Sequence, residues 1–180
     1  MFKKVTEDAI LPTKGTKYSA CVDVYANEDV TIEAGGTKLV GLGIAIDFDF
    51  IKRNIPKKYT PSTDFTENVM EQIDINKFLK SNYIQLMIRS SLSVKGLMLA
   101  NGVGVIDLDY KGEIKMNIYN PICDFIDNMI ENTVGCNSSY SYKIKKGERI
   151  GQLILLEHKS SLFGIESEEE RNGGFGSTGK

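Results

Sequence analysis

Short apolar and β-branched runs, each closed by a turn signal, occupy most of this 180-residue chain: residues 20–25, 38–46, 83–88, 104–107, 113–119, 140–144 and 149–156. Gly, Asn, Asp and Lys-Gly turns bound them, the pattern expected of strands. Several short strands at this spacing predict an all-β fold, a sandwich or jelly roll. Residues 54–82 break the pattern. Asp64 can cap a short helix with Glu67 three residues on, and Phe65, Val69 and Ile73 then share one face. This predicts an inserted excursion whose helix runs on towards Leu79. A second polar insertion, 123–139, reads as a long hairpin loop, and 166–170 as a solvated acidic hinge. The expected organisation is one β domain over 1–165, then a hinge and tail over 166–180.

The tail, Arg171 to Lys180, reads Arg-Asn-Gly-Gly-Phe-Gly-Ser-Thr-Gly-Lys. Four glycines make it too flexible to pack as helix or strand. It nevertheless carries an arginine, an aromatic ring and two hydroxyls, groups that suit a phosphorylated ring compound. That chemistry on a mobile segment suits a lid closing over a ligand; the alternative from composition alone is a frayed terminus.

Charge and composition narrow the field. With 22 basic and 24 acidic residues the net charge is −2, so no basic surface announces nucleic acid. No apolar run reaches membrane-spanning length, and the start Met1-Phe2-Lys3-Lys4 lacks the apolar stretch of a secretory leader. A cytoplasmic protein, or a nuclear one in a eukaryote, is expected. The three cysteines, Cys21, Cys123 and Cys136, have no paired short spacing and read as free thiols. With His158 the single histidine, carboxylates or a metal are left to carry any proton chemistry.

Four pieces can carry that chemistry. Gly104 to Ile114 reads as a β-hairpin turning near 110–112, with Asp107 and Asp109 on one side and Ile106 and Leu108 on the other. Two carboxylates there can position a water or a hydrated cation; the alternative is a polar outer strand face. Arg89-Ser90-Ser91-Leu92 ends an apolar strand, where backbone N–H groups and hydroxyls can cradle a phosphate, or simply turn the chain. Lys146 to Leu153 is a turn feeding a strand, in which Gly151 lets a ligand approach the backbone beside Gln152, or marks an ordinary junction. Asp23 is an acid in an apolar strand, and is either functional or paired with a structural arginine.

Taken in chain order, these pieces resemble the five motifs of the trimeric dUTP pyrophosphatases (dUTPases). Ser19 to Ala26 resembles Ala-Gly-x-Asp-Leu-x-Ala, with Cys21 in place of glycine. Arg89 to Leu92 resembles Arg-Ser-Gly/Ser-Leu. Gly104 to Gly112 resembles Gly-x-Ile-Asp-x-x-Tyr-x-Gly. Gly147 to Leu153 resembles Gly-Asp/Glu-Arg-Ile-Ala-Gln-Leu, with Gly151 for alanine, an exchange expected to be tolerated. Arg171 to Gly179 resembles Arg-Gly-x-Gly-Gly-Phe-Gly-Ser-Thr-Gly, one residue short. The resemblance implies a jelly-roll fold and Mg²⁺-dependent hydrolysis of dUTP to dUMP and pyrophosphate, which limits uracil in DNA and supplies dUMP for dTMP synthesis. By position, Asp107 activates the water that attacks the α-phosphorus, and Asp23 meets the hydrated Mg²⁺ through water. Ser90, Ser91 and Gln152 contact phosphates, with Arg89 as buttress. Asn101 and the backbone around Val105, Ile106 and Lys115 read the uracil, and Tyr110 lies under the deoxyribose. Phe175 beside Gly176 stacks on the base while Arg171, Ser177 and Thr178 clamp the β- and γ-phosphates. Each site of such an enzyme combines three subunits, so a homotrimer is implied. The two insertions match no motif and are open as protein-contact surfaces. The dCTP deaminases share the fold, but lack the Gly-Gly-Phe-Gly end.

Overall fold

The computed structural model describes residues 1–54, 58–59, 70–71, 75–121, 140–165 and 167. The strands are β1 (Phe2–Lys4), β2 (Thr13–Lys14), β3 (Val22–Tyr25), β4 (Val30–Ile32), β5 (Thr37–Gly41), β6 (Ile44–Ile46), β7 (Lys58–Tyr59), β8 (Met70–Glu71), β9 (Asn82–Ile88), β10 (Met98–Leu99), β11 (Gly104–Asp107), β12 (Lys115–Tyr119), β13 (Tyr142–Ile144) and β14 (Arg149–Glu157). Among the described residues, three short helices, α1 (Phe48–Asn54), α2 (Ile75–Ser81) and α3 (Ser90–Ser93), and a 3₁₀ turn at Ser160–Phe163 interrupt them.

The main sheet has the order β11-β9-β14-β3-β2, and a smaller one the order β10-β12-β5. All their neighbours run antiparallel. Side chains alternate in and out as the pleat requires. Ile84 and Leu86 of β9 point to the core from the main sheet, and Met116 and Ile118 of β12 from the smaller one. Both sets join one hydrophobic cluster with Val40 and Ile150. Two sheets closing on one core are the jelly-roll-like all-β architecture expected from the sequence.

Several details differ from that expectation. Residues 38–46 form two strands, not one. The chain breaks at Gly43, whose φ of 65° is left-handed, and a Cβ there would lie 2.6 Å from the Asn27 side chain. The break hands the chain from β12's sheet to the pairing of β6 with β1. The hairpin expected over 104–114 is not a two-stranded ladder either. β11 pairs with β9 and β12 with β5, so the connection crosses between sheets. Leu108 and Ile114 cause this: each is 1% exposed, and both anchor the connection in the core. The helix expected from Asp64 towards Leu79 does not run through Met70–Glu71, which pairs as strand β8 with β7. Helix begins at Ile75, and Asp64 to Val69 and Ile73 lie outside the described residues. So do 123–139 with Cys123 and Cys136, and 168–180. Cys21 is a free thiol. The short strands β1, β2, β4 and β10 and helix α1 were not expected; α1 starts where the Asp47 carboxylate accepts the Phe50 N–H at 2.9 Å. Among the described residues, no helix is long and apolar enough to cross a membrane.

Gly151 faces the core. A Cβ there would lie 2.5 Å from Met116 Sδ and 3.0 Å from Val24 Cγ2, so the missing side chain makes room for Met116 and not for a ligand. Gly151→Ala is therefore expected to overpack the core and cost about 1–2 kcal/mol, whereas glycine here, expected from the sequence to be tolerated, leaves Met116 its room. Thermal unfolding checks this. Adding Met116→Val should return most of the loss, and a loss that persists undiminished in the double variant would show that the strain lies elsewhere.

Candidate active site

A cavity of about 170 Å³ lies where β11 of the main sheet faces β12 of the smaller one. Apolar cavities near 150 Å³ hold a benzene-sized ring, so the volume suits a single six-membered ring. Leu86, Leu99 and Ile114 form apolar walls, and Gly104, Val105 and Ile106 bring one strand backbone to its edge. Asn101, Tyr110, Lys115 and Asn117 add polar groups. The four residues that the resemblance assigns to the base (Asn101, Val105, Ile106 and Lys115), and Tyr110, which it assigns to the deoxyribose, therefore converge here.

The connection from β11 to β12 is tied down on several sides. The Tyr110 hydroxyl donates to the Glu113 carbonyl at 3.1 Å. Its ring covers Gly112, where a Cβ would meet the hydroxyl at 2.6 Å, so only glycine fits beneath it. The Glu113 carboxylate accepts the Gly43 N–H at 2.8 Å and pairs with Lys115 Nζ at 3.5 Å. Asp107 ends β11 opposite Tyr83, with its side chain exposed, and its carbonyl accepts the Tyr110 N–H at 3.1 Å. Asp109 is exposed too, just past the strand.

A second constellation gathers around Asp23, which is 5% exposed. Arg89 Nε lies 3.2 Å from Asp23 Oδ1. Arg149 Nη1 donates to Oδ2 and Gln152 Nε2 to Oδ1, each at 3.3 Å. The main sheet dictates this meeting, because β14 lies between β3 and β9 and places Gln152 beside both Asp23 and Met87. Two guanidiniums on one carboxylate leave a formal charge of +1, favourable for an anion. Ser90 and Ser91 follow Arg89 and are exposed, while Leu92, 1% exposed, pins their turn to the core. Beyond them Lys95 donates to the Tyr142 hydroxyl at 2.8 Å, which holds its ammonium above the ordinary value.

The two constellations stand apart on one chain. Asp107 pairs with Tyr83, six residues before Arg89, which at about 3.3 Å per residue is roughly 20 Å along β9. Arg171, Phe175, Gly176, Ser177 and Thr178 lie outside the described residues. Among the described residues, no group of three His, Cys, Asp or Glu side chains could hold a metal ion. The sequence reading missed Asn117 and the clamp formed by Arg149. Arg149's signal was its place in the same strand as Gln152; Asn117 is a lone polar residue between apolar ones, with no signal of its own.

Fold and site define a jelly-roll-like β protein with a ring-sized pocket and a separate anion-favouring strand end. No protein-family model matches the chain, but individual relatives do. The deoxyuridine 5′-triphosphate nucleotidohydrolase of Nautilia profundicola is 31% identical over 183 residues, covering 99% of this chain and 96% of the relative. That of Saccharomyces cerevisiae is 31% identical over 176 residues, covering 95% and 88%. Among solved structures, the dUTPase of Staphylococcus bacteriophage 80alpha superposes with a TM-score of 0.59 at 23% identity, over 97% of this chain and 96% of that one. The dUTPase from Streptococcus mutans gives 0.53 at 23%, over 87% and 94%. The chain belongs to the dUTPase family of nucleotidohydrolases and is a hydrolase.

Proposed function

We propose that this protein hydrolyses dUTP to dUMP and pyrophosphate by attack of water on the α-phosphorus. The observation that carries the reading is the cavity between β11 and β12, sized for one pyrimidine ring and lined by the residues expected to face the base. The base enters there, its edges meeting Asn101 and the backbone of Val105, Ile106 and Lys115. Tyr110, fixed over Gly112, lies beneath the deoxyribose and leaves no room for a 2′-hydroxyl. Asp107, at the rim, orients the water and takes its proton. Ser90, Ser91 and Gln152 hold the phosphates, and Asp23 fixes Arg89 and Gln152 in place.

The roughly 20 Å between Asp107 and Arg89 supports assembly of each site from more than one copy, because a water on the α-phosphorus cannot be within reach of both ends of β9 in one chain. The proposed assembly is a homotrimer. Exposed apolar side chains at Val105, Met98, Leu162, Phe163 and Ile165 support it, since a subunit contact would cover them. The glycine-rich end, with Phe175 on the base and Arg171, Ser177 and Thr178 on the outer phosphates, closes over a neighbour's site.

The residues present fit Mg²⁺ in one way. Asp23 offers about four acceptor positions, and Arg89, Gln152 and Arg149 occupy three. One is left on Oδ2 for a water of a hydrated ion, which is enough for contact through water and too little for a cage. When bound, the ion neutralises phosphate charge.

Pyrophosphate release from dUTP, dCTP, dTTP and UTP, with and without Mg²⁺, tests the whole. dUTP should be favoured by about 10⁴ over dCTP, because a site built on hydrogen bonds leaves buried groups unpaired with the wrong base; dTTP and UTP should be slower than dUTP for a steric reason, the 5-methyl group meeting the pocket wall and the 2′-hydroxyl meeting Tyr110. Ammonia from dCTP would assign the deaminase reaction instead. In solution the assembly should have three times the 20.0 kDa chain mass.

A further inference from the structure

Asn117 lies two residues beyond Lys115 on the same face of β12, the face that lines the cavity. Met116 and Ile118, on the other face, are fully buried in the core. The Asn117 backbone is committed: its carbonyl accepts the Ala100 N–H at 2.8 Å, and the residue pairs with Leu39 of β5. Its side-chain amide makes no hydrogen bond among the described residues, although Asn120, three residues on, donates to two carbonyls. The surrounding walls, Leu86, Leu99 and Ile114, are apolar. A half-buried amide in such a place has lost part of its hydration and received nothing for it. The cavity is where its partner can arrive.

We infer that Asn117 is a base-contacting residue, its amide N–H donating to a carbonyl oxygen of the uracil ring. The inference rests on the reading that this cavity takes the base. Uracil presents two ring carbonyl oxygens. The Lys115 ammonium is held by Glu113, so Asn117 is the better placed of the two side-chain donors of β12 that line the cavity. The contact is made equally in ground and transition states, so its loss belongs in binding and not in the chemical step.

The test compares Asn117→Leu and Asn117→Asp with the unaltered protein in three measurements: kcat and KM for dUTP, the dissociation constant of dUMP by calorimetry, and the midpoint of thermal unfolding. Leucine keeps the volume and removes the donor. KM and the dUMP constant should both rise about 10–100-fold, as expected for one hydrogen bond in a water-poor site, with kcat within about threefold. The unfolding midpoint should hold or rise, because an unpaired amide is replaced by a side chain that suits the walls. Aspartate keeps the shape and sets a negative charge against the carbonyl, so it should bind dUMP more weakly than leucine does. Unchanged KM and dUMP binding in Asn117→Leu would overturn the inference, as would a lowered midpoint with binding intact, the signature of a merely structural amide. Failure of the underlying reading looks different: the unaltered protein would then neither turn over dUTP nor bind dUMP, and the inference would fall with it.

Discussion

Asp23→Ala is expected to lower stability by about 3 kcal/mol, the low end of the cost of removing one partner from a buried ion pair. For a chain of this length that is roughly 6–12 °C in unfolding midpoint. The carboxylate is nearly sealed from water, and it stands between two guanidiniums that would otherwise face each other. The low end applies because the arginines have partial escape: their side chains are 24% and 50% exposed for Arg89 and Arg149, and can turn to solvent. A double-mutant cycle separates this from lost packing. Arg149→Ala should be destabilising in the native background, yet nearly neutral or stabilising once Asp23 is gone, because it then relieves like-charge repulsion. Protein concentration must be matched throughout, since the proposed subunit association would shift the midpoint by mass action. A wild-type midpoint for Asp23→Ala would mean that the acid does not hold the two arginines together.

What the sequence disclosed follows from the range of the forces involved. The long ladders β9 and β14 were legible because burial imposes a period-two pattern over seven and nine residues. Strands of two or three residues, such as β2 and β10, exist only through their partners, and so few positions carry no period. The hairpin misreading over 104–114 has the same origin. Turn chemistry around Gly112 marked a reversal correctly, but the choice between folding back in one sheet and crossing to another was made by the burial of Leu108 and Ile114. Gly151 read as an approach for a ligand because nothing local shows that Met116, 35 positions earlier, occupies the space. In the candidate site, Asp23 was legible as an acid needing a partner, since an isolated buried charge is prohibitively costly. That it has three donors was not. Asn117 escaped for the opposite reason: a polar residue alternating with Met116 and Ile118 is what an ordinary solvent-facing strand position looks like, and only the opposing β11 shows that this face is covered.

Asp107→Asn is expected to lower kcat on dUTP by about 10²–10⁴, the span a positioned general base contributes, with KM changed by no more than severalfold. The amide matches the carboxylate in shape, so the pocket should be undisturbed, but it cannot take a proton from water. Asp107 is exposed at the end of β11, so the unfolding midpoint should move by no more than about 2 °C, as for most exposed positions. Asp109→Asn, two residues past and in the turn, should lose far less; the reverse ranking would transfer the base to Asp109. The distance along β9 gives the variant a second use. Gln152→Leu should be inactive for a different reason, because it strips the phosphate end while leaving Asp107 in place. If each site takes its base from one copy and its phosphate end from another, the two inactive proteins complement when unfolded and reassembled together. In a random equal mixture about a quarter of the sites in a cyclic trimer receive both intact halves, so about a quarter of the native activity should return. A site contained within one chain has no such route, since every copy in the mixture lacks one half, and activity would stay at the sum of the two variants.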